Sequence, residues 1–235
     1  MPDTVTTIGA QAFYGTGLTS ISIPDAVTTI GAQAFYGTGL TSISIPDAVT
    51  TIGDFAFYGT GLTSISIPDA VTTIGTQAFY NVPITSLTFP DNISVGYEAF
   101  NSTGITMLVV PEGVQFNGNY ILRSITSVCS SLTTLTIAQK LVSGFYNCKK
   151  LEKVTLLESV VSIGDSAFSN STSLTAIELP DSLTSIGGSA FYRSAIRSLD
   201  IPDSVTSIGG SAFRESSLVS VKLPSNLSSI ASGLF

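Results

Sequence analysis

The chain has 235 residues, of which 11% are charged, and its 16 acids outnumber its nine bases for a formal charge of −7. It holds no histidine, which removes Ser-His-Asp and Cys-His catalysis together with zinc sites of the Cys2His2 kind. All nine bases lie from Arg123 onward, behind eight acids and no base; nucleic acid needs a basic stripe and anionic membranes attract basic segments, so neither is expected as a partner.

No apolar run reaches the roughly 18 residues of a spanning helix, so no direct membrane insertion is expected. Met1-Pro2-Asp3 opens without a basic segment or an apolar stretch, so no signal peptide is expected.

The stretch Ile23–Ser44 recurs as Ile45–Ser66 with two changes, Asp54 for Ala32 and Phe55 for Gln33. Proline marks one column, at Pro2, Pro24, Pro46, Pro68, Pro90, Pro111, Pro180, Pro202 and Pro224. The step is 22 residues, with one of 21, until Ala138 and Leu157 take the proline position. Phenylalanine marks a second column, from Phe13, Phe35, Phe57, Phe79 and Phe100 through Phe145, Phe168, Phe191 and Phe213 to Phe235. Self-similarity at such a period signals a stacked array, in which one unit cannot hide its apolar side chains alone.

Within a unit, Ser42-Ile43-Ser44-Ile45 alternates polar and apolar and predicts a strand with one buried face. Pro46 ends it, because proline cannot donate to a ladder, and Pro46-Asp47 suits the centre of a turn. Val49 and Ile52 point inward, on a second short strand. Gly53-Asp54-Phe55-Ala56-Phe57 reads as a single helical turn with Ala56 and Phe57 inward, and Gly59 and Gly61 bend the chain back to Leu62.

The pattern L-x-x-I-x-I-P-x-x-V-x-x-I-x-x-x-A-F runs through Leu40–Phe57, Leu62–Phe79, Leu174–Phe191 and Ile196–Phe213. It resembles the BspA-like (Treponema-type) leucine-rich repeat, over essentially the whole chain. The resemblance implies a right-handed solenoid of about ten units of 22–23 residues, with a parallel β-sheet along one face and short strands and single helical turns on the others. It also implies a non-catalytic recognition module of adhesin type, secreted or at the cell surface, that binds a protein or glycan. The family favours Cys-x-x-Leu after the phenylalanine, as at Cys129–Leu132 and Cys148–Leu151. Adjacent rungs would bring Cys129 and Cys148 within disulfide range; the resemblance makes this column a core position, so buried free thiols are the expected state and a disulfide is the alternative.

One solenoid domain is expected over residues 1–235. Residues 1–90 are regular, with serine at nearly every outward strand position. Residues 91–148 break the rhythm: an excess holds Phe116 and Tyr120, then a deletion follows, which predicts a kink or a protruding loop, and loops often carry function. The alternative is a degenerate unit that bulges without a role. Residues 149–235 are regular again, but the outward strand residues vary. Candidate partner-binding residues are therefore Lys153, Glu178, Asp200, Lys222, Phe116 and Tyr120. The chain starts at one column and stops at another without a polar capping unit, so a piece of a longer protein is expected, and open end rungs invite end-to-end self-association.

Nine of the 16 acids follow the proline position, Asp25, Asp47 and Asp69 among them. They are either turn formers or a calcium-sensitive edge; each place offers too few ligands for the second reading. Tyr14, Tyr36, Tyr58, Tyr80, Tyr146 and Tyr192 follow the phenylalanine, either to meet sugars or a partner or to pack the corner between units. Neither a phosphate-cradling G-x-x-x-x-G-K nor a dinucleotide fingerprint occurs, so no enzyme activity and no cofactor are expected. A structural spacer is the alternative function. Ice binding is a remoter one, since neighbouring threonines such as Thr28 and Thr29 would point to opposite faces of a strand.

Overall fold

The computed structural model describes residues 1–116, 128–227 and 229–235. Among the described residues the repeat winds into parallel-strand solenoid turns with almost no helix. Two compact units arise, Met1–Thr106 with Gly113–Val128, and Met107–Glu112 with Cys129–Phe235.

In the first unit the strands are β1 (Thr7–Ile8), β2 (Thr29–Ile30), β3 (Thr51–Ile52), β4 (Thr73–Ile74), β5 (Ser86–Thr88) and β6 (Ser94–Val95). The second unit contributes β7 (Met107–Val110), and β8 (Gln115–Phe116) returns to the first. A parallel sheet runs β1-β2-β3-β4-β6-β8, each residue paired with the equivalent position one rung on, as Thr29 with Thr51, Ile30 with Ile52 and Ser94 with Gln115. The glycine after each isoleucine lets the rungs close: a β-carbon on Gly31 would lie 2.7 Å from the Ala10 nitrogen.

The second unit continues with β9 (Thr134–Ile137), β10 (Leu141–Val142), β11 (Lys153–Leu156), β12 (Ser162–Ile163), β13 (Ser185–Ile186), β14 (Ser198–Asp200), β15 (Ser207–Ile208) and β16 (Ser220–Lys222). Strands β10-β12-β13-β15 continue the same kind of ladder with Leu-Val and then Ser-Ile in place of Thr-Ile, while β7-β9-β11 and β14-β16 pair along the other face.

The core is a file of phenylalanines. Phe35, Phe57, Phe79 and Phe100 are fully buried, and the rings from Phe13 to Phe100 stack at centroid separations of 5.1–5.3 Å. Phe145 to Phe235 form the corresponding file of the second unit at 5.6–6.0 Å. Around them Val49, Ile52, Ala56 and Leu62 are all at 0% exposure, so the apolar columns of the sequence are the interior.

Three local expectations need correction. The Ser42–Ile45 run alternates in burial as expected, with Ser44 exposed and Ile45 buried, yet it forms no paired strand; alternation needs only an extended chain, and in the first three rungs the ladder lies at Thr-Ile instead. The Gly53–Phe57 segment is a chain of tight turns and not a helical one. Phe55 takes φ 57°, and Gln33 and Gln77 do the same one rung away, a left-handed conformation no right-handed helix contains. Amide groups there alternate: Ala34 N–H closes a turn on Gly31 within its rung, while Phe35 N–H donates to Ala56 of the next. Finally, the turn after the strand run starts at Pro46, closed by Val49 N–H on the Pro46 carbonyl at 3.0 Å, so Asp47 and Ala48 form its centre.

Candidate ligand-binding face

The outward residues of the second unit's strand face come from β11, the rung that carries Glu178, and β14 with β16. Glu178 meets β11 through a single parallel bridge to Thr155. Full pairing stops there, and an open hollow of about 400 Å³ lies between the two rungs, lined by Lys153, Val154, Thr155, Leu156, Ala176, Ile177 and Glu178. Its floor is apolar, with Val154, Leu156 and Ile177 at 6–8% exposure, and its rim carries one ammonium and one carboxylate. Those two charges make no ion pair with each other.

On the next rungs Asp200 and Lys222 are register partners of β14 and β16, both exposed. The four charged candidates thus all stand on the outward strand positions of one unit. Phe116 does not join them. It sits in β8, opposite Val95 in the column that isoleucine fills elsewhere, half-buried and edge-on to Phe89 at 5.9 Å, and so belongs to the packing and not to a loop. Tyr120 lies outside the described residues.

The first unit offers a smaller hollow of about 270 Å³, lined by Ile65, Ser66, Ile67, Asp69, Ser86, Thr88, Phe89 and Pro90. It too lies beside a strand run that is not paired, Ile65–Ile67.

Sequence reasoning missed the corner formed by Tyr192, Arg193 and Glu215. Arg193 Nε donates to Glu215 Oε2 at 2.7 Å and the Tyr192 hydroxyl donates to Oε1 at 3.0 Å. The Arg193 hydrogen bond, then the Tyr192 one, hold the Glu215 carboxyl below the usual carboxylate range. The same bond and the Glu215 charge raise Arg193. Two residues after each column phenylalanine would have been the place to look.

The acid column is exposed and stands in turns. Asp203 is held below its ordinary value chiefly by the Ser225 backbone N–H, which reaches its Oδ1 at 2.7 Å. Among the described residues no three of His, Cys, Asp or Glu gather as metal ligands. Cys129 and Cys148 are joined as a disulfide, their Cα atoms 4.2 Å apart, so the expectation of buried free thiols is corrected: equivalent positions of adjacent rungs bring the two sulfurs together.

One further reading changes, and one open alternative is narrowed. Thr28 is exposed and Thr29 half-buried, between buried Val27 and Ile30, so the doublet does not straddle the wall as an ideal strand would; Thr28 Oγ1 donates to the Thr6 carbonyl at 3.3 Å. The tyrosines stack on one another: Tyr14–Tyr36, Tyr36–Tyr58 and Tyr58–Tyr80 have centroids 4.9, 4.7 and 5.1 Å apart. Between neighbours the ring faces are occupied, which leaves edges and hydroxyls for a sugar and not a stacking platform. Burial foremost, then Tyr36 and Tyr80, raise the Tyr58 phenol above its ordinary value.

A family model of the BspA type leucine rich repeat region matches residues 6–129 and 142–235, in six copies. The chain belongs to this family. Among solved structures, a leucine-rich repeat protein from Bacteroides ovatus is 25% identical with a TM-score of 0.53, over 97% of this chain and 78% of that one. One from Eubacterium ventriosum is 24% identical with a TM-score of 0.47, over 96% and 77%. The leucine rich repeat protein of T. pallidum is 24% identical with a TM-score of 0.41, over 80% and 66%. No curated protein matches the chain. The BspA-type repeat accounts for the proline, isoleucine and phenylalanine columns; among the described residues no helix is long and apolar enough to cross a membrane.

Proposed function

We propose that this BspA-type repeat protein is a non-catalytic recognition scaffold, acting outside the cell or at its surface, that binds a protein or glycan through the outward strand face of its second unit. One observation carries the reading: Lys153, Thr155, Ala176 and Glu178 line a single hollow of about 400 Å³ over an apolar floor. Ligand sites combine such a floor with a few polar groups that fix orientation. Asp200 and Lys222 extend the same face and differ from rung to rung, whereas the first unit repeats serine at Ser42, Ser44, Ser64 and Ser66.

The test is a glycan array and a pull-down from extracellular matrix, followed by replacement of Lys153, Glu178, Asp200 and Lys222 by serine. Loss of binding with an unchanged melting temperature supports the face; unchanged affinity for the captured ligand rejects it.

A specific observation favours a spacer role for the first unit. Its serine positions are uniform, and continuous files of phenylalanine and tyrosine stiffen it. Replacing residues 1–90 by an unrelated rod of equal length would leave a spacer's function intact and destroy a binder's.

A further inference from the structure

The tyrosine file brings four phenols into register, ring against ring. Tyr14, Tyr36, Tyr58 and Tyr80 lie with ring planes within 11° of parallel. The backbone fixes the spacing, since Gly15, Gly37 and Gly59 N–H donate to the carbonyls of Tyr36, Tyr58 and Tyr80 at 2.8–2.9 Å. Tyr14 is half-exposed and the other three are partly so, so that each ring presents an edge to water. In the second unit, by contrast, Ser169 fills the tyrosine position between Tyr146 and Tyr192, and Arg214 the position after Tyr192, so no two tyrosines are neighbours.

We propose that this file is an oxidative cross-linking site, at which a peroxide-driven one-electron oxidant joins neighbouring tyrosines of one chain as dityrosine. A haem peroxidase loaded with hydrogen peroxide takes one electron and the phenolic proton from each of two neighbouring tyrosines. The two phenoxyl radicals, with spin density at the ring carbons ortho to oxygen, form one carbon–carbon bond there. Each coupled ring then loses its ortho proton and regains a phenolic one, and the peroxide leaves as two waters. Two chain hydrogens are lost per bond. The stack supplies what coupling in solution lacks: a second phenol already alongside the first, held by the ladder, so the radical needs no encounter with another molecule. Each such bond would tie one rung covalently to the next.

The test uses the whole chain, dilute, with a haem peroxidase and hydrogen peroxide. Asp25, Asp47 and Asp69 each lie between successive tyrosines, so cleavage before aspartate puts the four tyrosines on four different peptides. The expected result is blue dityrosine fluorescence from a chain that stays monomeric on a denaturing gel. Mass spectrometry should find linked peptides of neighbouring rungs, lighter by two hydrogens. Tyr36→Phe with Tyr80→Phe keeps every ring of the stack but leaves Tyr14 and Tyr58 without a neighbouring phenol. That variant should melt as the wild type does and lose the linked peptides. The converse pair, Tyr14→Phe with Tyr58→Phe, should behave alike. Links only between different chains, links undiminished in both variants, or no links while free tyrosine is coupled in the same tube would each overturn the proposal.

Discussion

Gly53 rests on the backbone of Ala32: a β-carbon on the glycine would stand 2.6 Å from the Ala32 nitrogen and 2.8 Å from the Gly31 carbonyl carbon. Both contacts are backbone, so neither can swing aside. Gly53→Ala therefore forces the rungs apart and is expected to cost about 1–3 kcal/mol, as overpacking does. Gly9 occupies the same column at the first rung and has nothing within 4 Å, so Gly9→Ala should leave stability unchanged. Denaturant midpoints of the two variants check this; equal shifts would mean the column is not a contact between rungs.

The phenylalanine file predicts a graded response. Phe57 is fully buried, with rings stacked on both sides, whereas Phe13 is half-buried with a ring on one side only. Phe57→Ala should cost about 3–5 kcal/mol, the usual range for a truncated core ring, and Phe13→Ala distinctly less. Because coupling in a solenoid is between nearest neighbours, amide exchange in the Phe57 variant should rise most in the rungs of Phe35 and Phe79.

The columns of proline, isoleucine and phenylalanine were legible because burial imposes them: Ile52, Ala56 and Phe57 must be apolar wherever the chain repeats. The corner conformation was legible only in part. Gly37 and Asn81 sit at φ 62° and 56° and are residue types that advertise a left-handed bend, but Gln33 and Phe55, at φ 58° and 57°, are not. The Ala-Phe pair after them therefore read as helix. Which of two extended runs would form the ladder was equally hidden, because Ser42–Ile45 and Thr51–Ile52 both alternate, and the choice lies in how closely backbones meet at Gly31 and Gly53. Of the candidate face, the varied outward residues could be read directly. The hollow beside Lys153 could not, since it depends on where pairing between rungs stops.

The Cys129–Cys148 bond closes a loop with a sequence separation of 19. A closed loop of that size removes unfolded-state freedom equivalent to about 3 kcal/mol. Unfolding the unreduced chain should expose no titratable thiol. Reduction, or Cys129→Ser with Cys148→Ser, should lower the melting transition of the second unit. Cys148 is fully buried, so the native bond should resist reductant until the unit opens. Two free thiols in the unreduced chain would reject the bond.

Glu215 should make the second unit sensitive to acid in a way that can be separated from packing. Its carboxyl is held below the usual range by the Arg193 and Tyr192 hydrogen bonds and then by the charges of Arg193 and Arg214. A depressed carboxylate stabilises the fold above its unfolded pKa, and that contribution disappears as pH falls through the lower folded value. Glu215→Gln should accordingly melt below the wild type at neutral pH, and the gap should close in strong acid, where the wild-type carboxyl is protonated as well. The side chains are largely exposed, so the effect is small and should shrink with added salt. Thermal melts of both proteins across the acid range, at low and high salt, give the answer. A gap that persists in acid would assign the loss to shape, because the charge on Glu215 is then gone from both proteins.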